Sequence, residues 1–259
     1  MSILAMTKVT SRTVHVWQRN GNVLMALWKT ELLPPFLEPI MNILALGIGL
    51  GRFVQDVQGV PYIQFIAPGF ICSSVMFSSS FECMFGSFVR MTYQRTYDAI
   101  LATPLNIEDV IMGEMLWGAT RGLVSGVVVL IVITAFGLTQ SPWALLVLPM
   151  SLYAGLTFAA GAMFATSVIQ SIDQFNYYFA LGITPMFLIS GIFFPLEGLP
   201  QAVQIAAWFS PLTHLVRVVR AVVLGAPEWG HLLDVAWLGV ASFVLVNVAL
   251  WLMRRRLIV

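Results

Sequence analysis

Charge is what this 259-residue chain has least of: 10% of its residues are Asp, Glu, Lys or Arg, against 59% apolar. A soluble domain carries about a quarter charged residues, and the mean hydropathy of +0.88 likewise excludes that class. Charge is absent from Gly122 to Ile172, from Gln174 to Leu196 and from Val235 to Met253, gaps that admit spans of about twenty apolar residues. Cysteine is nearly missing too. Cys72 and Cys83 fall in one expected span, too far apart along a helix to be bridged, and read as packing residues.

Several chemistries are excluded by what else is lacking. The two lysines, Lys8 and Lys29, lie outside any GxxxxGK[ST] loop, so this chain has no usual cradle for nucleotide phosphates. His15, His214 and His231 are scattered, with no Cys/His metal-ligand spacing and no GxSxG nucleophile turn. No catalytic residue, metal or cofactor is therefore expected in this chain, and a lipid-modifying membrane enzyme is disfavoured. A stand-alone secondary transporter would need an intramembrane carboxylate pathway, for which only Glu82 and Glu114 are candidates. The net charge of +1, with no basic patch interleaved with aromatics, gives no sign of nucleic acid. The N-terminus has no basic start, apolar run and small-residue cleavage site, so the first span is expected to remain as an anchor.

What is present reads as an all-α integral membrane protein with six transmembrane helices, near 32–51, 62–88, 107–136, 143–169, 175–194 and 232–253. Residues 8–30 interleave Lys8, Arg12, Arg19 and Lys29 with Val14, Val16, Trp17, Leu24 and Trp28, the pattern of an amphipathic interfacial helix; a plain tail is the competing reading. Lys and Arg placement puts both termini and the loop after the second span in the cytoplasm, with Arg52, Arg217 and Arg220 outside. Residues 195–230 are too apolar for a loop, yet Pro195, Pro200, Pro211, Arg217 and Arg220 make a poor span. They are expected to form a re-entrant outer-leaflet helical hairpin, its arginines snorkelling outward near Glu197; a seventh span would carry the C-terminal arginines outside.

The most informative stretch is Arg90 to Ser125. Tyr93, Tyr97, Ile100 and Leu101 share one face of a helix that Arg90, Gln94, Arg95 and Asp98 avoid. That predicts a short cytoplasmic amphipathic helix over 90–103. Pro104 then disfavours helix, and Asn106, Glu108 and Asp109 start the next one. Within it, Gly118, Gly122 and Gly126 form two overlapping GxxxG steps for close helix packing, and Gly47 and Gly51 a weaker one. Glu114 and Arg121 are expected to stabilise one another in the interior.

Five stretches carry a family likeness: LLPPF at Leu32–Phe36, YIQFIAPGF at Tyr62–Phe70, QRTYDAILATPL before the third span, and SGIFFPLEGLP with FSPLTHLVRVVR between Ser190 and Arg220. Over essentially the whole chain the sequence resembles type II ABC exporter permeases, most of all the NodJ subfamily, which pairs with a NodI-type ATPase and is associated with lipo-chitooligosaccharide export. The resemblance implies a homodimeric inner-membrane permease forming one transmembrane domain over 1–259, completed by two copies of a separate ABC ATPase that binds ATP and Mg. It implies a lipooligosaccharide or other amphiphilic glycolipid substrate among membrane lipids, with a drug-like amphiphile as the alternative. It makes 90–103 the coupling helix, with Arg90, Tyr93, Arg95, Tyr97 and Asp98 as candidate contacts.

Overall fold

The computed structural model describes residues 8–26, 40–49, 51, 53, 54 and 56–258. Apart from one small hairpin, the regular elements among them are helical. Helix α1 spans Thr13–Ala26. Helix α2, Tyr62–Tyr93, is α-helical to Phe81 and widens into π turns at Glu82–Gly86 and Val89–Tyr93. A short α3, Thr96–Leu101, leads to α4, Ile107–Ala135. Helix α5, Val147–Val168, follows a tighter turn at Pro142–Leu146. Helix α6 is composite, with a π turn, Phe179–Ile183, between Phe175–Tyr178 and Thr184–Ile189. Helices α7, Gln201–Trp208, and α8, Pro211–Leu224, precede α9, His231–Leu257. The hairpin Asp56–Val57/Val60–Pro61 turns at Gln58 and Gly59, whose φ of 52° and 80° suit a two-residue turn.

Among the described residues, four helices are long and apolar enough to cross a bilayer: α2, α4, Pro142–Val168 and α9. The chain is thus an all-α membrane protein. The first expected span, 32–51, lies partly outside the described residues; its described part is helical at 40–42 and π-helical at Ile43–Gly49. The fifth expected span is shorter than its apolar run. Helix α6 covers fifteen residues, about 22 Å at 1.5 Å per residue, against a hydrocarbon core of about 30 Å. It ends where the chain bends from Ser190 onward, with Gly191 at φ 79°. Helices α7 and α8 meet at 85° about Ser210–Pro211 and count as a fifth span only if that bent pair is taken as one.

Side chains of α2, α4, α5, α8 and α9 build two apolar clusters. One runs from Tyr62 and Ile66 to Val219 and Leu238, the other from Met84 and Phe88 to Leu250 and Met253. Small residues lie where α4 crosses its neighbours. A Cβ on Gly118 would stand 2.5 Å from Cys83 Sγ and 3.1 Å from Ala159 Cβ; one on Gly122 would strike Ser79 Oγ; one on Gly126 would stand 2.5 Å from Ser151 Oγ. The GxxxG steps therefore face α2 and α5 of the same chain and let three backbones approach closely. Both cysteines are free and fully buried.

Candidate functional site

At one end of the bundle, α1, the 90–106 loop, the first turns of α4 and the last turns of α5 and α9 are tied together by charged groups. Glu114 is fully buried and is the hub. Its carboxylate accepts from Asn20 Nδ2 at 3.2 Å, Ser87 Oγ at 2.9 Å and Arg90 Nε at 2.9 Å, with Arg90 Nη2 closer still. Arg90 Nη2 also reaches Glu82 Oε1 at 2.9 Å, and Arg121 Nε stands 3.6 Å from Glu82 Oε2. The pairing expected between Glu114 and Arg121 is thus indirect: the two are joined through Arg90 and Glu82. Glu114 and Arg121 lie seven residues apart on α4, about 10 Å along its axis, and Arg90 and Glu82 of α2 bridge that gap. Gly86 leaves room for them, since a Cβ there would stand 2.6 Å from Glu82 Oε1.

The single amphipathic helix expected over 90–103 is not continuous either. The helix breaks at Arg95, which has φ 48°, and resumes at Thr96. Tyr93 is 65% exposed and Tyr97 0%, so the two no longer share a face. Tyr97 belongs to the same buried cluster as Phe88, Ile111 and Met115, and burial, reinforced by the Glu114 charge, pushes its phenol well above the ordinary value. Of the five candidate contacts, Arg90 and Tyr97 point inward, while Tyr93, Arg95 and Asp98 are exposed beside Thr92, Gln94 and Thr103.

Asp109 fastens α1 to this platform. Its carboxylate accepts from Thr10 N at 2.6 Å, Thr10 Oγ1 at 2.9 Å, Thr13 Oγ1 at 3.2 Å and Asn106 N at 3.4 Å. Arg12 Nη1 donates to Pro104 O, and Trp17 Nε1 to Thr120 Oγ1 at 2.9 Å. Val16 fills the space that Gly113 leaves, and Trp117 packs at Gly21. The helix expected to lie on the membrane surface therefore runs along the first turns of α4. Arg254 Nη1 binds Glu108 Oε1 at 2.7 Å, and Arg256 Nη1 binds Ile169 O at 2.6 Å, which brings α9 and α5 into the same platform.

At the other end, Arg220 does not snorkel. It is held inside by Phe65 O at 3.1 Å and Gly191 O at 2.8 Å, with its guanidinium 3.8 Å from the Phe65 ring centre. Glu197 instead meets Gln58 Nε2 at 3.4 Å, and the half-exposed Arg217 lies 3.8 Å from Asp234. His214 sits between Asp234 Oδ1 at 2.6 Å and Trp208 O at 2.7 Å, stacked on Trp237. Both partners are acceptors, so the two bonds together need two protons on the His214–Asp234 pair. The Glu82–Gly86–Arg90 spacing was the signal that reading missed at the first end; Asn20, Ser87 and the His214–Asp234 pair carry none recognisable without the fold. Among the described residues no group of three or more His, Cys, Asp or Glu could hold a metal ion.

A model of ABC-2 type transporters matches residues 14–224, from α1 through the last turn of α8. The chain belongs to the ABC-2 type transporter family. It is similar to Nodulation protein J of Rhizobium leguminosarum bv. trifolii, 35% identical over 257 residues and covering 99% of this chain and 98% of that one. The bv. viciae protein of the same name is 38% identical over 246 residues, covering 93% of each. Inner membrane transport permease YadH of Escherichia coli K12 is 26% identical over 215 residues, covering 81% of this chain and 82% of that one. As an ABC-2 permease it is the membrane-embedded subunit of a transporter, and the family implies association with an ABC ATPase subunit.

Proposed function

We propose that this permease is one half of a homodimer in the bacterial inner membrane which, with two copies of a separate ATPase, exports an amphiphilic glycolipid of the lipooligosaccharide kind. Both termini and the 90–106 loop are cytoplasmic, and ATP and Mg are bound by the ATPase. In this reading 32–51 supplies the first of six spans, α6 the fifth, and the α7–α8 elbow re-enters the outer leaflet. The substrate class rests on the likeness to Nodulation protein J over nearly the whole chain.

The observation that carries the coupling role is the contrast within 90–103. Exposed Tyr93, Arg95 and Asp98 form an edge, and directly behind it Arg90 and Tyr97 are locked into the interior against Glu114 and Met115. A push on that edge has no soft layer to absorb it. It passes to Glu114 and the close-packed glycine face of α4, whose neighbours α2 and α5 must move with it. Tyr97 supports the edge from behind and Arg95 makes the contact. The test is the ATPase activity of the copurified complex bearing Arg95→Glu with Asp98→Lys. Stimulated turnover should fall about three- to tenfold, as expected for about 1 kcal/mol of lost surface charge contacts, with the permease still monodisperse. Unchanged stimulation would place the docking edge elsewhere.

A further inference from the structure

Between α1, α2 and α4, on the platform side of the bundle, lies an open cavity of about 400 Å³. Its polar wall holds Arg19, Glu82, Arg90 and Arg121, and its apolar wall includes Phe81, Phe85 and Trp117. The charges of α2 and α4 engage one another: Arg90 bridges Glu82 and Glu114, and Arg121 faces Glu82. Arg19 stands apart from that network. Its Nη2 donates to Asn20 Oδ1 at 2.9 Å, and Asn20 in turn is spent on Glu114. Its Nη1 is buried and meets no acceptor among the described residues.

A buried guanidinium nitrogen without an acceptor carries an uncompensated desolvation cost. Arg19 lines the cavity and has no carboxylate partner among the described residues, so an oxyanion entering there meets a guanidinium whose planar fork suits phosphate, sulfate and carboxylate alike. The apolar wall narrows the class of ligand. Phe81 is 56% exposed and stacks on Phe85 with ring centres 4.4 Å apart, a surface for hydrocarbon beside a seat for negative charge.

We infer that this cavity binds the anionic headgroup of a membrane amphiphile, the oxyanion on Arg19 and the chain along Phe81 and Phe85. Its placement in the inner leaflet rests on the proposed orientation; the binding itself does not. Neither depends on ATPase coupling, so the two readings fail in different assays.

The probe is dioleoylphosphatidylglycerol against dioleoylphosphatidylcholine, read by native mass spectrometry of the full-length chain released from detergent. The expected result is a retained phosphatidylglycerol adduct at least about fivefold over phosphatidylcholine, a preference that Arg19→Gln abolishes and Arg19→Lys keeps in part. Phe81→Ala, at an exposed position that should not disturb folding, should weaken the adduct independently, whereas Arg95→Gln should leave it unchanged. Inorganic phosphate, offered as competitor, separates a small-ion seat from a headgroup site: resistance of the adduct to millimolar phosphate supports the inference. Full displacement by phosphate, equal retention of the two lipids, or an Arg19→Gln variant that still prefers phosphatidylglycerol would overturn it.

Discussion

Replacing Arg90 by leucine should be among the most damaging single changes at the platform, and the reason can be worked out from its neighbours. Glu114 is fully buried and has Arg90 as its cation; without it, two neutral donors remain, Asn20 Nδ2 at 3.2 Å and Ser87 Oγ at 2.9 Å. Removing one partner of a buried pair costs about 3–5 kcal/mol, most of it from the charge left behind. Glu82 suffers less, since Arg121 still stands 3.6 Å away. The converse change, Glu114→Gln, leaves Arg90 with Glu82 at 2.9 Å and a neutral acceptor of the same shape. It should cost only about 1–2 kcal/mol.

The double variant Arg90→Leu/Glu114→Gln leaves no charge at the hub, so it should be more stable than Arg90→Leu alone. Thermal unfolding of the detergent-solubilised chain gives the order. Arg90→Leu should lie on the order of 10 °C below the parent, taking about 2–4 °C per kcal/mol for a chain of this size. Glu114→Gln and the double variant should lie between. Equal losses for the two single variants, or a double variant that shows their sum, would refute the buried hub.

Three further outcomes follow from the packing. Gly122→Ala drives a Cβ into Ser79 Oγ and should cost about 1–3 kcal/mol; adding Ser79→Gly should recover part of it, read as a double-mutant cycle in melting temperature. His214→Phe leaves Asp234 and Trp208 O without their shared donor and should lose about 2–3 kcal/mol, and Asp234→Asn added to it should cost little more. Arg220→Lys should fail to substitute, since one ammonium cannot span Phe65 O and Gly191 O while covering the Phe65 ring; limited proteolysis near Ser190–Phe194 should show that turn loosened.

How far these features were legible depended on whether local periodicity survived into the fold. Spans α2, α4, α5 and α9 were readable because long, mainly apolar runs have few other fates in water or lipid. Asn106 and Asp109 marked the start of α4, and Pro211 and Gly225 bracket α8, because caps and stops are local chemistry. The 90–103 stretch departs from its α-helical period because the helix breaks at Arg95, whose φ of 48° turns Tyr97 to another face than Tyr93. Arg220 was sent to the interface by a rule for arginines in lipid, whereas two main-chain carbonyls and an aromatic ring hold it inside. The Glu114 hub draws on Asn20, Glu82, Ser87 and Arg90, up to 94 residues away in sequence, and no local pattern joins them.

Transport by the reconstituted complex tests the central claim most directly. Proteoliposomes holding the permease and its ATPase would be assayed for movement of a fluorescent acylated oligosaccharide between leaflets. The account predicts movement that requires ATP and both subunits and falls with Arg95→Glu/Asp98→Lys. Movement by the permease alone, driven by an ion gradient without ATP, would contradict it.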